Sequence, residues 1–303
     1  MWDPAAYLRF GSERARPFFD LLTRVYAADP GYVVDLGCGP GNLTALLAAR
    51  WPEAHVLGVD NSAAMIEVAQ AEAASTVTRD TGSRGGARPR GGAGTRGGAR
   101  PRGDAGTQGG AADGGDPSYA AADGSRLAFA LADIRTWQPG RPVDVFTCNA
   151  VLQWVPGHLS LLTSWAGWLA PGGWLAFQLP GNFDQPSHTI LRDLAASARW
   201  RPLLHGVRLN RQAMDPAVYL DVLAAAECEV DAWETTYLHV LHGENAVLDW
   251  YRGSGLRPVL AALTPADGAE FTAEYGAQLR AAYPAAPYGT VLPFRRIFVV
   301  ANR

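Results

Sequence analysis

Val33-Val34-Asp35-Leu36-Gly37-Cys38-Gly39-Pro40-Gly41-Asn42 is a short apolar run that closes on three alternating glycines before helical patterning begins. Paired valines favour a strand. Glycines at 37, 39 and 41 let the backbone turn sharply and let a ligand approach with no Cβ in the way. A dinucleotide-binding turn would carry its third glycine one position later and would serve a pyrophosphate. Here Asp35 stands just before the glycines, where it repels phosphate and suits a ligand that carries an amine or another cation. Cys38 reads as a small residue beneath the turn, not as a nucleophile.

Working outward, strands and helices alternate. A helix is expected over residues 43–50 with Asn42 as its cap, a strand over 55–59, and a helix capped by Ser62 running to about Ala74. Further strands are expected over 127–131, 143–147 and 173–179, with a helix over 158–169 between the last two. This rhythm predicts an α/β fold with a doubly wound, mostly parallel sheet. Ligands of such sheets bind at the carboxyl ends of the strands. Asp60, followed by Asn61, ends the second strand and is placed to accept hydrogen bonds from ribose hydroxyls. Asp133 could receive the exocyclic amine of an adenine with Ile134 packed on the ring, or it could cap a helix. Asn149 falls just past the fourth strand and faces the same crevice.

The chain has 303 residues and a formal net charge of −3, so nothing global asks for nucleic acid or lipid. All 26 basic residues are arginine. A catalytic lysine is therefore excluded, and a bound anion must rely on arginine or protonated histidine. Three widely spaced cysteines, Cys38, Cys148 and Cys228, argue against a disulfide scaffold and a thiolate zinc site. The opening residues lack a long apolar run, no stretch approaches a membrane span, and a cytoplasmic site of action is expected. From about Thr76 to Ser125 the chain is Gly-, Arg- and Ala-rich and nearly free of large apolar residues. It reads as a disordered surface insertion within a single domain spanning 1–303, because ordered patterning resumes beyond it. Residues 181–293 are expected to form a mixed, largely helical substrate-side region, partly a lid. The strand over 294–301 is expected to lie inside the sheet.

DLGCGPG at 35–41, Asp60, Asp133-Ile134 and the Asn149-Ala150-Val151-Leu152-Gln153-Trp154 run resemble the class I S-adenosylmethionine-dependent methyltransferases. More narrowly, the chain resembles the trans-aconitate 2-methyltransferase family. That likeness rests on Trp2-Asp3-Pro4, Arg16-Pro17, Leu152-Gln153-Trp154-Val155-Pro156, Gln178-Leu179-Pro180-Gly181-Asn182, Gly255-Leu256-Arg257-Pro258 and Phe294-Arg295-Arg296. The resemblance implies a seven-stranded Rossmann-like sheet, S-adenosyl-L-methionine as cofactor and a small-molecule polycarboxylate as substrate, converted to a methyl ester. It carries the cofactor role to Asp35, Gly37, Gly39, Gly41, Asp60, Asp133, Ile134 and Asn149, with Gln153 and Trp154 beside them.

A carboxylate is already ionised at neutral pH and needs no general base. Neither a catalytic base nor a metal is expected, since the six histidines show no metal-binding spacing. Bidentate arginine suits a polyanion. Arg16 and Arg296 are the foremost candidates, then Arg14, Arg295 and Arg9; each could equally be a solvated surface charge. Asn182, Tyr237, His158, His188 and His239 could bond a second carboxylate or serve as packed residues. Trp2, Phe10, Phe18 and Phe19 could close the pocket, whereas Trp165, Trp168, Trp233 and Trp250 read as core. Two alternatives remain: another small metabolite as acceptor, or a non-catalytic or RNA-binding protein using the Arg-Gly-rich insertion. Nucleic acid is not expected as a partner, and a monomer is.

Overall fold

The computed structural model describes residues 11–83, 126–209 and 213–303; the side chains of 11–14 and 76–83 lie outside the description. Strands β1 (Tyr32–Leu36), β2 (His55–Asp60), β3 (Leu127–Leu131), β4 (Val143–Asn149) and β5 (Leu169–Pro180) pair in parallel. Strand β7 (Thr290–Asn302) inserts antiparallel between β5 and β6 (Glu229–Leu241), giving the order β3-β2-β1-β4-β5-β7-β6. This is the doubly wound seven-stranded sheet, with its last strand inside it. The strand order reverses between β1 and β4, so a crevice opens beyond their carboxyl ends.

Ten helices cover the sheet among the described residues: α1 (Gly11–Leu22), α2 (Asn42–Arg50), α3 (Ala63–Ser83), α4 (Leu159–Gly167), α5 (Pro186–Ala196), α6 (Arg201–Leu204), α7 (Pro216–Ala224), α8 (Ala246–Arg252), α9 (Arg257–Ala262) and α10 (Pro265–Ala282). Strand alternation sorts the core into two layers. Val33, Val145, Ala176, Phe298 and Val300 face α1, α2, α5 and α8–α10. Val34, Phe146, Phe177, Val299 and Ala301 face α4 and α7. Both layers are dry and aromatic, with Trp200, Phe271 and Tyr275 buried in the first and Trp165 and Tyr219 in the second. Segment 181–293 is thus divided: α7 lies on the face away from most of the other helices of that segment.

Several boundaries differ from expectation. Asn42 is the first helical residue, not the cap; Gly41 caps α2 in the left-handed conformation with φ 81° and no side-chain bond. Helix α3 runs on to Ser83, past Ala74. Leu169 already belongs to β5, whose register against β4 shifts between Val143 and Val145 to absorb the extra residues as a bulge. The remainder of the predicted insertion, 84–125, lies outside the described residues, as do Trp2, Arg9 and Phe10. No helix among the described residues is long and apolar enough to cross a membrane.

Candidate active site

A cleft of about 1380 Å³ opens at the carboxyl ends of β1, β2, β4 and β5 and runs under α8 and α9. Its floor begins at the glycine turn. Gly37 and Cys38 donate their backbone N–H groups to the Val59 carbonyl at 2.7 and 3.1 Å, which pins the turn to β2. Gly37 has φ 75°, and a Cβ there would lie 2.2 Å from the Val151 side chain. At Gly41 a Cβ would meet Phe129 at 2.7 Å, whereas a Cβ at Gly39 would meet nothing within 4 Å. Two of the three glycines therefore serve close packing, and the middle one leaves open space.

Three carboxylates gather around this turn. Asp35 is buried and accepts from the Thr44 hydroxyl at 2.7 Å and the Thr147 hydroxyl at 2.9 Å. Burial raises its pKa to about 6, against the lowering effect of the two hydroxyls. Asp60 accepts from the Gly39 N–H and the Ser62 N–H, each at 2.9 Å, so one carboxylate braces both the turn and the entrance to α3. Asp133 is spanned by the Arg135 guanidinium and accepts the Arg135 backbone N–H, and those bonds hold its pKa down at about 2. Its carbonyl also accepts from the Thr136 and Trp137 N–H groups, so Asp133 opens a turn over 134–136 and caps no helix. Asn61 and Ile134 line the same half. Burial and the neighbouring Asp35 and Asp60 push the Cys38 thiol up, which makes it a poor nucleophile.

Beyond β4 the chain turns at Ala150, a non-glycine residue at φ 58° whose N–H is held by the Gln178 carbonyl at 2.9 Å. The turn sets Gln153 and Trp154 on the cleft wall. Gln153 donates to the Ala150 carbonyl, while its Oε1 is buried with no hydrogen-bond partner among the described residues.

The opposite half is cationic. Arg296 is 7% exposed, lines the cleft and donates to Gln178 Oε1 at 3.1 Å. Arg208, Arg252 and Arg257 are exposed at the lip. Phe183, His188, Trp250, Tyr251 and Phe294 give that half an aromatic wall. Asn182 donates to the Tyr251 hydroxyl at 3.1 Å, and its Oδ1 is buried with no partner among the described residues.

Residues 10–215 match the family described as "Methyltransferase domain". The trans-aconitate 2-methyltransferase of Streptomyces avermitilis is 48% identical over 100% of this chain and 97% of its own length. That of Streptomyces coelicolor is also 48% identical, over 100% of this chain and 86% of its own. The chain belongs to the class I S-adenosylmethionine-dependent methyltransferases. A candidate methyltransferase of Bacillus halodurans C-125 shares the fold, with TM-score 0.51 over 95% of this chain and 98% of that one, at 13% identity.

The cleft residues of this methyltransferase fit its cofactor. S-adenosylmethionine carries a sulfonium, an ammonium and hydroxyl and amine donors; Asp35, Asp60 and the orphaned Gln153 Oε1 are acceptors for such groups. The open space at Gly39 admits close approach to the backbone.

Several residues expected at the substrate lie elsewhere. Arg295 points to the opposite face of β7, where Glu234 and Asp215 bind it and Asp215 lies 2.9 Å from its guanidinium. His158 is buried and bridges the Val155 carbonyl and the Tyr219 hydroxyl, so it anchors the wall behind the cleft. Arg16 is exposed and lies over the Tyr237 ring, 5.1 Å from its centroid, and Tyr237 donates to Asp20. Neither lines the cleft. His239 stacks on Trp250 at 4.7 Å, one layer behind the wall. Phe18 is fully buried in the core and Phe19 is half exposed. The side chain of Arg14 lies outside the described residues. Trp250 is buried in the core, as expected, and also lines the cleft. Arg208, Arg252 and Tyr251 carry no motif that marks them; Gln178 and Arg257 sit in the Gln-Leu-Pro-Gly-Asn and Gly-Leu-Arg-Pro segments and could have been singled out there.

Proposed function

We propose that this enzyme transfers a methyl group from S-adenosylmethionine to one carboxylate of a small unsaturated tricarboxylic acid, trans-aconitate, and releases its monomethyl ester. The observation that carries the reading is the polarity of the cleft. Asp35 and Asp60 occupy the cofactor half, and the buried Arg296 faces them from the β7 side with Arg208, Arg252 and Arg257 at the lip. The two charges of the other sign are neutralised locally, Arg135 by Asp133 and Asp249 by Arg252 at 4.0 Å. Relatives 41–48% identical over the whole chain carry the name of this activity.

S-adenosylmethionine supplies, when bound, an electrophilic methyl group on a sulfonium. Asp35 and Asp60 attract its cationic and hydroxyl groups, and the glycine turn seats it without side-chain obstruction. Arg296 binds a carboxylate in a low-dielectric wall, where a charge-assisted pair is strong and directional. A guanidinium on the reacting oxygen would withdraw its electron density, so Arg296 holds a neighbouring carboxylate and leaves the reacting one uncapped. Phe183, Trp250 and Phe294 exclude water from that pair. The acceptor is ionised at neutral pH, so the protein contributes proximity and alignment and moves no proton.

The test is product formation by mass spectrometry from purified protein, S-adenosylmethionine and trans-aconitate, beside cis-aconitate, citrate and a blank. A monomethyl ester formed fastest from trans-aconitate is expected. No ester from any acid, in protein that binds S-adenosylhomocysteine, overturns the acceptor and leaves the cofactor reading intact.

A further inference from the structure

Five polar side chains share one face of the sheet interior, across four adjacent strands. Asp35 on β1 is paired in register with Thr147 on β4, and Asn149 on β4 with Gln178 on β5. Arg296 on β7 is paired with Pro180, one alternation beyond Gln178. Buried polar groups in the middle of a sheet displace apolar packing and persist only when fully bonded. Gln178 is 1% exposed, and both ends of its amide are used: Oε1 accepts from Arg296, and Nε2 donates to Asn149 Oδ1. A guanidinium can only donate, which forces Oε1 toward Arg296 and Nε2 toward Asn149. The Asn149 oxygen is then occupied, and its Nδ2 donors are the atoms left to face the cleft. Arg296 and Asn149 line opposite halves of the cleft, and Gln178 stands behind both.

We propose that Gln178 is a positioning residue that couples the substrate-side arginine to the cofactor-side asparagine, so that one neutral amide sets both. Only a glutamine-like side chain meets the demand. A carboxylate there would neutralise Arg296 and present no donor to Asn149, and an apolar side chain would release both. The assignment of Arg296 to a substrate carboxylate rests on the function proposed above; the coupling to Asn149 rests on hydrogen bonds alone.

A thermodynamic cycle on S-adenosylhomocysteine affinity, measured by calorimetry, tests the coupling without any acceptor. Arg296→Met is expected to weaken binding on the order of three- to tenfold when Gln178 is present and to change it less than twofold in the Gln178→Met background. Equal effects of Arg296→Met in both backgrounds overturn the proposal. Steady-state kinetics supply the second readout. Gln178→Glu is expected to raise KM for trans-aconitate about a hundredfold at pH 8 with a much smaller change in kcat, because the introduced carboxylate pairs with Arg296. Parallel losses in kcat and KM that follow a lowered Tm indicate a structural role only and overturn it. Coupling in the cycle without ester formation by the unaltered enzyme would reject the acceptor and keep the positioning role.

Discussion

The two halves of the cleft are built by different means. On the cofactor side, the glycine turn, Asp35 and Asp60 come from strand ends and the loops that follow them; backbone N–H groups bond Asp60, backbone carbonyls hold the turn, and the Thr44 and Thr147 hydroxyls hold Asp35. On the acceptor side, Arg296 comes from the last strand, Gln178 from near the carboxyl end of β5 and the lip arginines from α8, α9 and the segment after α6. The first half is centred on residues 35–61 and braced largely by main chain, with the Thr147 hydroxyl added from β4; the second is assembled from distant segments and braced by side chains. A carrier of a positive group and a polyanion make such a division natural, because each half repels the other's ligand. The difference also has a mechanical consequence. Altering the first half strains the backbone, whereas altering the second leaves buried side-chain partners unpaired.

The largest expected effect separates the halves most sharply. Arg296→Met removes a buried cation from the acceptor side, and kcat/KM for trans-aconitate should fall about 10²- to 10³-fold, roughly 3–4 kcal/mol. S-adenosylhomocysteine affinity should change by no more than about tenfold; a collapse of cofactor binding in calorimetry would erase the distinction. Next come the glycines. Gly37→Ala must fit a Cβ 2.2 Å from Val151 at φ 75°, so it should lose cofactor binding and about 2 kcal/mol or more of stability in denaturant titration. Gly39→Ala meets nothing within 4 Å but stands at φ 56°, so it should cost only the left-handed backbone strain of about 1 kcal/mol, less than Gly37→Ala, while S-adenosylmethionine affinity drops.

The third effect is a pH dependence confined to the cofactor half. The folded protein keeps the Asp35 proton up to about pH 6, whereas the unfolded chain releases it near the ordinary value of 3.8. The folded state binds more protons in that window, so ligand-free stability falls as pH rises from about 4 to 6. Affinity for a cationic ligand should rise over the same window as the carboxylate forms. Calorimetry of S-adenosylmethionine binding from pH 5 to 8 checks this, and Asp35→Asn should flatten the profile. Arg257→Ala at the exposed lip should raise KM for the acid only about two- to fivefold, an effect that added salt reduces. Smallest of all, Arg295→Met should leave turnover within about twofold, although Arg295 is the chain neighbour of the residue with the largest effect. Loss of activity there would show that the face assignment of β7 fails to divide the two arginines.

What the sequence by itself determined is the alternating α/β order and the glycine turn with its strand-tip carboxylates, because both depend on short-range rules. Valines before glycines make a strand and a turn, and carboxylates at strand tips face the crevice wherever the sheet is parallel. The continuous apolar run from Ile297 to Ala301 also foretold that the residues around 294–301 lie within the sheet. What only the tertiary structure decided is the acceptor half. Arg295 and Arg296 are indistinguishable in the sequence, yet a period of two sends one to Glu234 and Asp215 and the other into the cleft. His158 looked like a ligand and is bound to Tyr219 from α7, 61 residues away. Gln178 looked like an ordinary strand residue until β4 and β7 brought Asn149 and Arg296 to either end of its amide. Local propensity cannot choose a face or a register across distant strands; only the packing of β7 between β5 and β6 does that.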